Sequence, residues 1–516
     1  MLTSNLSSLC TFGMLLVFLT ACSGAQRGPQ TMSTKPAEDQ TAPEIEEAFR
    51  EVPESEGWRA EAPEPGEPMD LDVPLFEEGR LDNGMRVIVS RRPDLPLVSF
   101  SVAFLAGSAS DPSGKGGLAR LTYQLLLEGA GERDAMELAD AFADLGTSPY
   151  TRLPFDGGLV GVSVLTRNAN PALELLADMV RRPRLAEADF ERQRSEQKAN
   201  LTRLLAEPGY LSRVAIAKMV FGEDHPYGRL SHGTTDSLAA LTLQDVQDFY
   251  DSHLIPTSAA FVATGDVDLD TAMEWAEAHF GDWRTEKERD PLTPAAPTPF
   301  ERRRILLIER PGLQQTRVML GGPALAVGDE NEVPLRLASQ VFGGMFGSRL
   351  NLNLREDKGF TYGAYSSAAP RRGVGLVSAG SAVETGVTGA ALTEIFKELH
   401  GLRERPITDE ELHAAREGFI RAIPGWFETV GALGQTGARL FWRDLPMNHY
   451  SRLVESLEAV TLEQIQDVAV RYFNPDTLQL VLVGDPEVVE EQVVDLDLGR
   501  LVSWEPGQPL PAAETD

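Results

Sequence analysis

The sequence predicts an α+β fold built from two homologous domains, each a mainly antiparallel sheet with helices packed on one face. Three observations carry this reading. "LTLQDVQDFYDSHLIPTSAAFVATGDVD", from Leu241, and "VTLEQIQDVAVRYFNPDTLQLVLVGDPE", from Val460, align without gaps at an offset of 219 residues. Over the 26 positions from Leu241 to Asp266 eight are identical, and they are structural punctuation: a capping Thr, a Pro after the helix, a Gly-Asp closing a β-rich run. The period exceeds that of any solenoid repeat, so it marks a duplicated domain. Finally, long helical segments are grouped between strands rather than alternating singly with them, which argues against a doubly wound sheet.

The elements follow in order. "MRVIVSRRPDLPLVSFSVAFLAGS" suggests paired strands, and "GLARLTYQLLLEG", residues 117–129, an amphipathic helix. On that helix Leu118, Leu121 and Leu125 share one side, while Arg120, Tyr123 and Gln124 cluster on the other. "GGLVGVSVL" reads as a strand, and 170–180 and 190–206 as helices. The second half repeats the plan: "RILLIER" and "TRVMLGG" are strands, "PLRLASQVFGG" a helix, and "GFTYGAYSSA" and "GVGLVSAGSA" strands before further helices. The expected boundaries are a domain at 73–285, a Pro-rich linker at 286–300, a domain at 301–497 and a tail at 498–516. A chain of 516 residues can give each domain a core of its own.

Ahead of these lie two segments of different character. "FGMLLVFLTAC" is too short an apolar run to span a bilayer and ends in small residues before Cys22, which reads as a signal peptide over 1–21. Its pattern resembles a bacterial lipobox, with Cys22 the lipidated residue, although only the terminal amine supplies positive charge before the run. Residues 22–72 read as an acidic, Pro-rich tether, with thirteen acidic residues from Glu38 to Asp72 against Arg50 and Arg59. The expected location is the bacterial cell envelope, lipid-anchored at the periplasmic face of the outer membrane. With Cys10 lost alongside the signal, no thiol remains for a disulfide or for cysteine catalysis. The net charge of −31 excludes nucleic acid as a natural partner.

"FLAGSASDPSGKGGLARLTYQLLLEGA" resembles the strand, loop and helix that carry the zinc motif in the pitrilysin/insulinase/mitochondrial processing peptidase family. The similarity runs from about residue 73 to 490 and includes "HPYG" at 225–228. The family motif is His-x-x-Glu-His, two imidazoles gripping zinc and a glutamate activating its water. Here the resemblance puts Arg120, Tyr123 and Gln124 at those three positions, and Lys198 at the third ligand when "ERQRSEQKANL" is registered on Glu191. A register shift of two supplies Glu196 instead. A guanidinium offers five donors and no lone pair, so no zinc cofactor is expected in this chain.

Other chemistries find no support. The seven histidines include no pair three to five residues apart, His225 reads as packed in its turn, no Gly-x-Ser-x-Gly elbow occurs, and "SGKGG" and "FGGMFGS" lack phosphate-loop spacing. The second half does keep "FGGMFGSRLNLNLREDKGFTYGAYS", which resembles the family's glycine-rich segment with an Arg and Tyr seven apart, Arg355 and Tyr362. On spacing alone Arg355 would pair with a surface acid and Tyr362 would be half buried; the resemblance of the whole segment implies instead that they bind substrate peptide, Arg355 near a helix end and Tyr362 on the adjoining strand. It further implies a non-catalytic subunit that completes a chamber with a zinc-bearing homologous partner. The competing expectation is an envelope scaffold or peptide-binding lipoprotein without any catalytic partner.

Overall fold

The computed structural model describes residues 71–288 and 290–511, so the signal, Cys22 and nearly all of the tether lie outside the described residues. The first half contains β1 (Glu77–Arg80), β2 (Arg86–Arg91), β3 (Leu97–Phe104), β4 (Gly129–Ala130), β5 (Arg133–Asp134), β6 (Tyr150–Arg152), β7 (Gly158–Leu165) and β8 (Ala259–Gly265). Its helices are α1 (Leu118–Leu125), α2 (Ala135–Asp144), α3 (Ala169–Arg181), α4 (Glu187–Leu204), α5 (Pro208–Phe221), α6 (Thr235–Ala240), α7 (Leu243–His253) and α8 (Leu269–Phe280). The second half contains β9 (Ile305–Glu309), β10 (Gln315–Pro323), β11 (Ala364–Ala369), β12 (Leu376–Glu384), β13 (Gln479–Gly484) and β14 (Leu501–Ser503). With them are α9 (Glu332–Ser339), α10 (Arg349–Asn351), α11 (Thr388–Glu404), α12 (Asp409–Ala422), α13 (Val430–Trp442), α14 (His449–Glu458), α15 (Leu462–Tyr472) and α16 (Pro486–Val493).

Two six-stranded, mixed but mainly antiparallel sheets result, ordered β1-β2-β8-β3-β7-β6 and β11-β12-β10-β13-β9-β14. The duplication is visible in the caps. Thr242 and Thr461 each close a capping box at the start of α7 and α15, with Asp245 and Gln464 as the reciprocal acceptors. The β-runs that follow, β8 and β13, enter their sheets parallel to β2 and β9. Gly265 ends β8 at φ +110, and a Cβ there would collide with the Leu97 carbonyl, so the Gly of the Gly-Asp signal is a steric requirement.

The strands β2 and β3 are not paired with each other as their proximity in sequence suggests. Strand β8 lies between them, parallel to β2 and antiparallel to β3. The Arg92–Pro96 connection holds Pro93 and Pro96, which lack the N–H groups of a tight hairpin, while β8 is buried along its whole length and suits a central position. The segment at 498–516 is likewise more than a tail: Leu501–Ser503 adds a strand beside β9, and Trp504 is buried.

Nor does each half have a core wholly its own. Alternate residues of a strand face opposite sides of its sheet. In the first sheet Val87, Val89, Phe100 and Val102 pack with the half's own helices, whereas Ile88, Ala103, Ala260 and Val262 share a cluster with second-half side chains. The second-half element that covers them is α13: Thr264 Oγ1 donates to Val430 O at 2.7 Å, and Gly437 abuts Val262. Reciprocally, Leu211, Ile216, Met219 and Val220 of α5 pack with Leu306, Ile308, Met319, Val481 and Val483 of the second sheet. Shifted by the repeat offset, α5 overlaps α13, so the duplicated helices are exchanged across the halves.

Candidate functional site

The predicted motif helix is shorter than the 117–129 pattern and spans Leu118–Leu125. Gly117, at φ 91, turns the chain into it, and the buried Asp111 caps it, accepting from Gly117 N at 2.8 Å and Ala119 N at 2.7 Å. The Asp111 carboxyl is nonetheless raised to about 7, because burial outweighs those two bonds and the nearby Arg229 and Arg120. Arg229 also donates to the Asp111 carbonyl.

The three motif positions do not form one polar surface. Tyr123 points inward, 1% exposed, its hydroxyl donating to Ala106 O at 2.9 Å and its ring edge-on to Phe104. A Cβ on Gly158 would collide with this ring, so β7 is shaped around it. Burial drives the phenol pKa well up, leaving a neutral donor already in use. Arg120 is half-buried and its Nε reaches Ser231 O only at 3.4 Å. Gln124 is also half-buried, and its Oε1 is a buried atom with no partner.

On α4 the side chain inserted toward α1 is Gln197, not Lys198: Gln197 Nε2 donates to Gly117 O and His232 O, both at 3.1 Å. Lys198 is half-buried one position round the helix, and Glu196 is exposed, pairing with Arg192 at 3.3 Å. Sequence reasoning missed Asp111, Gln197, Tyr210, Arg229 and His232. Asp111 had a signal in its closeness to the helix start; the others come from segments with no local cue. His232 lies 3.4 Å from the Tyr210 hydroxyl and is held neutral, its pKa depressed to about 4 by burial and then by Arg120.

These groups do not fit a zinc ion. Arg120 has no lone pair, Tyr123 is sealed in the core, Gln124 and Gln197 offer only neutral amides, the Asp111 carboxyl is spent capping α1, and His232 is a single imidazole beside Arg120. Among the described residues no three His, Cys, Asp or Glu side chains converge as a metal-binding group. His225 is occupied structurally: its Nδ1 accepts from Tyr227 N at 3.1 Å, its Nε2 lies 2.8 Å from Ala295 O, and its ring stacks on Phe221.

Arg355 and Tyr362 occupy a different setting. Arg355 lies in a wide π-helical turn, Leu352–Asp357, and its guanidinium sits 4.5 Å over the ring of Phe346, itself 64% exposed. Lys358 caps this turn and Gly359 follows at φ 65, as the "REDKG" pattern suggests. Tyr362 is not on the strand, which begins at Ala364, but in the loop before it. The loop is anchored all the same. Thr361 Oγ1 donates to Ala382 O at 2.8 Å, and Asn351 bonds both the N–H and the C=O of Ala364. The Tyr362 side chain is 91% exposed on this pinned backbone. Arg355 Nε pairs with the neighbouring Glu356 at 3.2 Å, so it is the rest of this guanidinium and the exposed Tyr362 phenol that can donate to a peptide carbonyl.

Residues 86–220 match the family model of insulinase (peptidase family M16), and residues 240–419 match that of the peptidase M16 inactive domain. The chain is 26% identical over 366 residues to an uncharacterized zinc protease of Streptomyces coelicolor, covering 69% of this chain and 77% of that one. It is 23% identical over 402 residues to an uncharacterized zinc protease of Bacillus subtilis, covering 76% and 95%. Among solved structures, a protease from Helicobacter pylori superposes with a TM-score of 0.74 at 20% identity, covering 80% of this chain and 100% of that one. A peptidase M16 inactive domain from Pseudomonas fluorescens gives 0.73 at 22%, covering 80% and 98%.

Proposed function

Since the chain belongs to the insulinase family, peptidase family M16, we propose that it is a non-catalytic subunit of a heteromeric zinc peptidase, inactive alone, which binds substrate peptide for a zinc-bearing homologous partner. The observation that carries this reading is the motif helix, where Arg120 stands at a ligand position and Tyr123, at the base position, is buried in a bond to Ala106 O. Hydrolytic chemistry therefore falls to the partner.

This chain's own contribution is made by Arg355 and Tyr362. Both donate hydrogen bonds to a peptide carbonyl, and both bonds strengthen as that oxygen gains negative charge. Fixing the peptide before reaction also removes part of the entropic barrier. The flat Arg355–Phe346 stack and the anchored Tyr362 loop support such a role, because donors on restrained backbone lose little freedom on binding. Cys22, as the lipidated residue, would tether this subunit to the periplasmic face of the outer membrane.

The test is a peptidase assay on the full-length lipoprotein, alone and after co-purification from detergent-extracted membranes. The expected result is no hydrolysis alone and hydrolysis with a co-purified family member carrying an intact His-x-x-Glu-His helix. Intrinsic cleavage by the isolated chain overturns the reading. Recovery of bound peptide without any such partner replaces it with that of a peptide-binding envelope lipoprotein.

A further inference from the structure

Where the two halves meet, the strand-to-strand loops Leu153–Gly157 and Pro370–Gly375 and the C-terminal end of α13 line a half-open cavity of about 450 Å³. Four of its lining residues are arginines: Arg152, Arg371, Arg439 and Arg443. Its one acid among the described lining residues is Asp156, whose single charge offsets only one of the four guanidiniums and whose two oxygens each already accept a hydrogen bond. The Tyr227 hydroxyl donates to Oδ1 at 2.5 Å, and Arg372 N donates to Oδ2 at 3.2 Å. In a protein with a net charge of −31 this concentration of cations runs against the average composition.

The wall is also rich in donors that lack acceptors. The Arg371 guanidinium is buried in an aromatic cage, 4.2 Å from the ring centre of Phe155, 4.8 Å from Tyr227 and 5.2 Å from Phe221. Its Nη1 has no hydrogen-bond partner, and neither has Nε1 of Trp442, which also lines the cavity. The "HPYG" segment thus acquires a task, since Tyr227 both forms the cage and holds Asp156. Arg371 remains cationic at neutral pH, its pKa lowered to about 10 chiefly by burial. Arg443 is lowered as well, by burial and then by repulsion from Arg336 and Arg439.

Part of this charge has a structural use. Arg372 donates to the Trp442 carbonyl and Arg443 Nη2 to Pro370 O at 3.3 Å, bonds that serve the end of α13 and its neighbouring loop. The other acids in reach do not cancel the excess. Glu332, near Arg443, is held by Arg336 and Gly328 N, and Asp444, near Arg372, is exposed. Uncancelled arginine forks and orphan N–H donors in a walled cavity are what an oxyanion completes, because it supplies several acceptor lone pairs and opposite charge at once.

We propose that this cavity is an oxyanion-binding site, distinct from Arg355 and Tyr362, which takes either the terminal carboxylate of a peptide or a free phosphate. Titration calorimetry on the full chain tests it with three probes: inorganic phosphate, triglycine and triglycine amide. Triglycine binding that is lost in the amide identifies a peptide terminus, and phosphate binding alone identifies the free anion. Either binding is expected to weaken at least tenfold in Arg439→Gln and in Arg152→Gln and to be unchanged in Arg167→Gln, an exposed arginine outside the cavity. Arg152 is exposed, so its variant tests the site without disturbing the buried cage around Arg371. Absence of binding by both phosphate and triglycine, equal binding of the amide with no phosphate binding, or equal affinity in both arginine variants overturns the proposal.

Discussion

The Tyr123 hydroxyl donates to the Ala106 carbonyl 17 residues earlier, at 2.9 Å, and this bond fixes the motif helix against the end of β3. Tyr123→Phe removes the donor and leaves a buried carbonyl short of a partner, a loss of about 1–2 kcal/mol in urea unfolding. Tyr123→Glu, which restores the family's base on paper, puts a carboxyl into a core site and is expected to cost more than about 3 kcal/mol. The triple variant Arg120→His, Tyr123→Glu, Gln124→His should accordingly show a lower urea midpoint with or without zinc.

Asp111 and His232 give opposing pH dependences. The Asp111 carboxyl, raised from 3.8 to about 7, binds more proton in the folded chain, so its favourable contribution is complete below pH 3.8 and is lost as pH rises to 7. His232, lowered from 6.5 to about 4, binds less proton when folded, so its contribution is complete above pH 6.5 and is lost as pH falls to 4. The two nearly cancel between pH 4 and 6.5. Relative to the parent, Asp111→Asn should steepen the rise of stability with pH by up to about 1.4 kcal/mol per unit. His232→Gln should shift the slope by a similar amount in the other direction over that window. Urea unfolding at half-unit pH steps measures both.

Arg355→Ala and Tyr362→Ala should each lower peptide affinity, or turnover of the reconstituted pair, by about tenfold, the worth of one charge-assisted or phenolic hydrogen bond. Because Tyr362 is 91% exposed, Tyr362→Ala should leave the thermal midpoint within a degree or two of the parent. Unchanged turnover in both variants would return the pair to an ordinary surface role.

The exchange of α5 and α13 makes each half depend on the other. Separately produced chains covering 71–288 and 301–511 should each lack cooperative thermal unfolding, and co-expression should restore it. Ile216→Ala, in the first half, removes a side chain that lies against Gly321 of β10, where a Cβ would be 2.5 Å from Ile216 Cγ1. The expected cost is about 2–5 kcal/mol. A single transition, seen both by a probe at Trp275 in the first half and by one at Trp504 in the second, checks that the halves unfold together.

Legibility in the sequence tracked the distance over which a signal acts. The Thr caps of α7 and α15, the Gly-Asp strand ends and the Lys358–Gly359 helix stop are decided within a few residues, and all three were readable. Tyr362 was misplaced by two residues because the strand begins only where Asn351 bonds Ala364. The choice between Gln197 and Lys198 depended on the angle at which α4 crosses α1, which no spacing within "ERQRSEQKANL" encodes.

By itself, the sequence determined the duplicated α+β plan, the family resemblance and the chemistry of position 120, since a guanidinium has no lone pair in any surroundings. Only the tertiary structure decided that Tyr123 turns inward, that β8 inserts between β2 and β3, that α5 and α13 trade sheets, and that four arginines meet beside Asp156. The reason is physical. Side-chain chemistry and local capping belong to the residue and its near neighbours, whereas burial and charge excess arise from groups separated by hundreds of residues, which acquire a common environment only when the chain has folded.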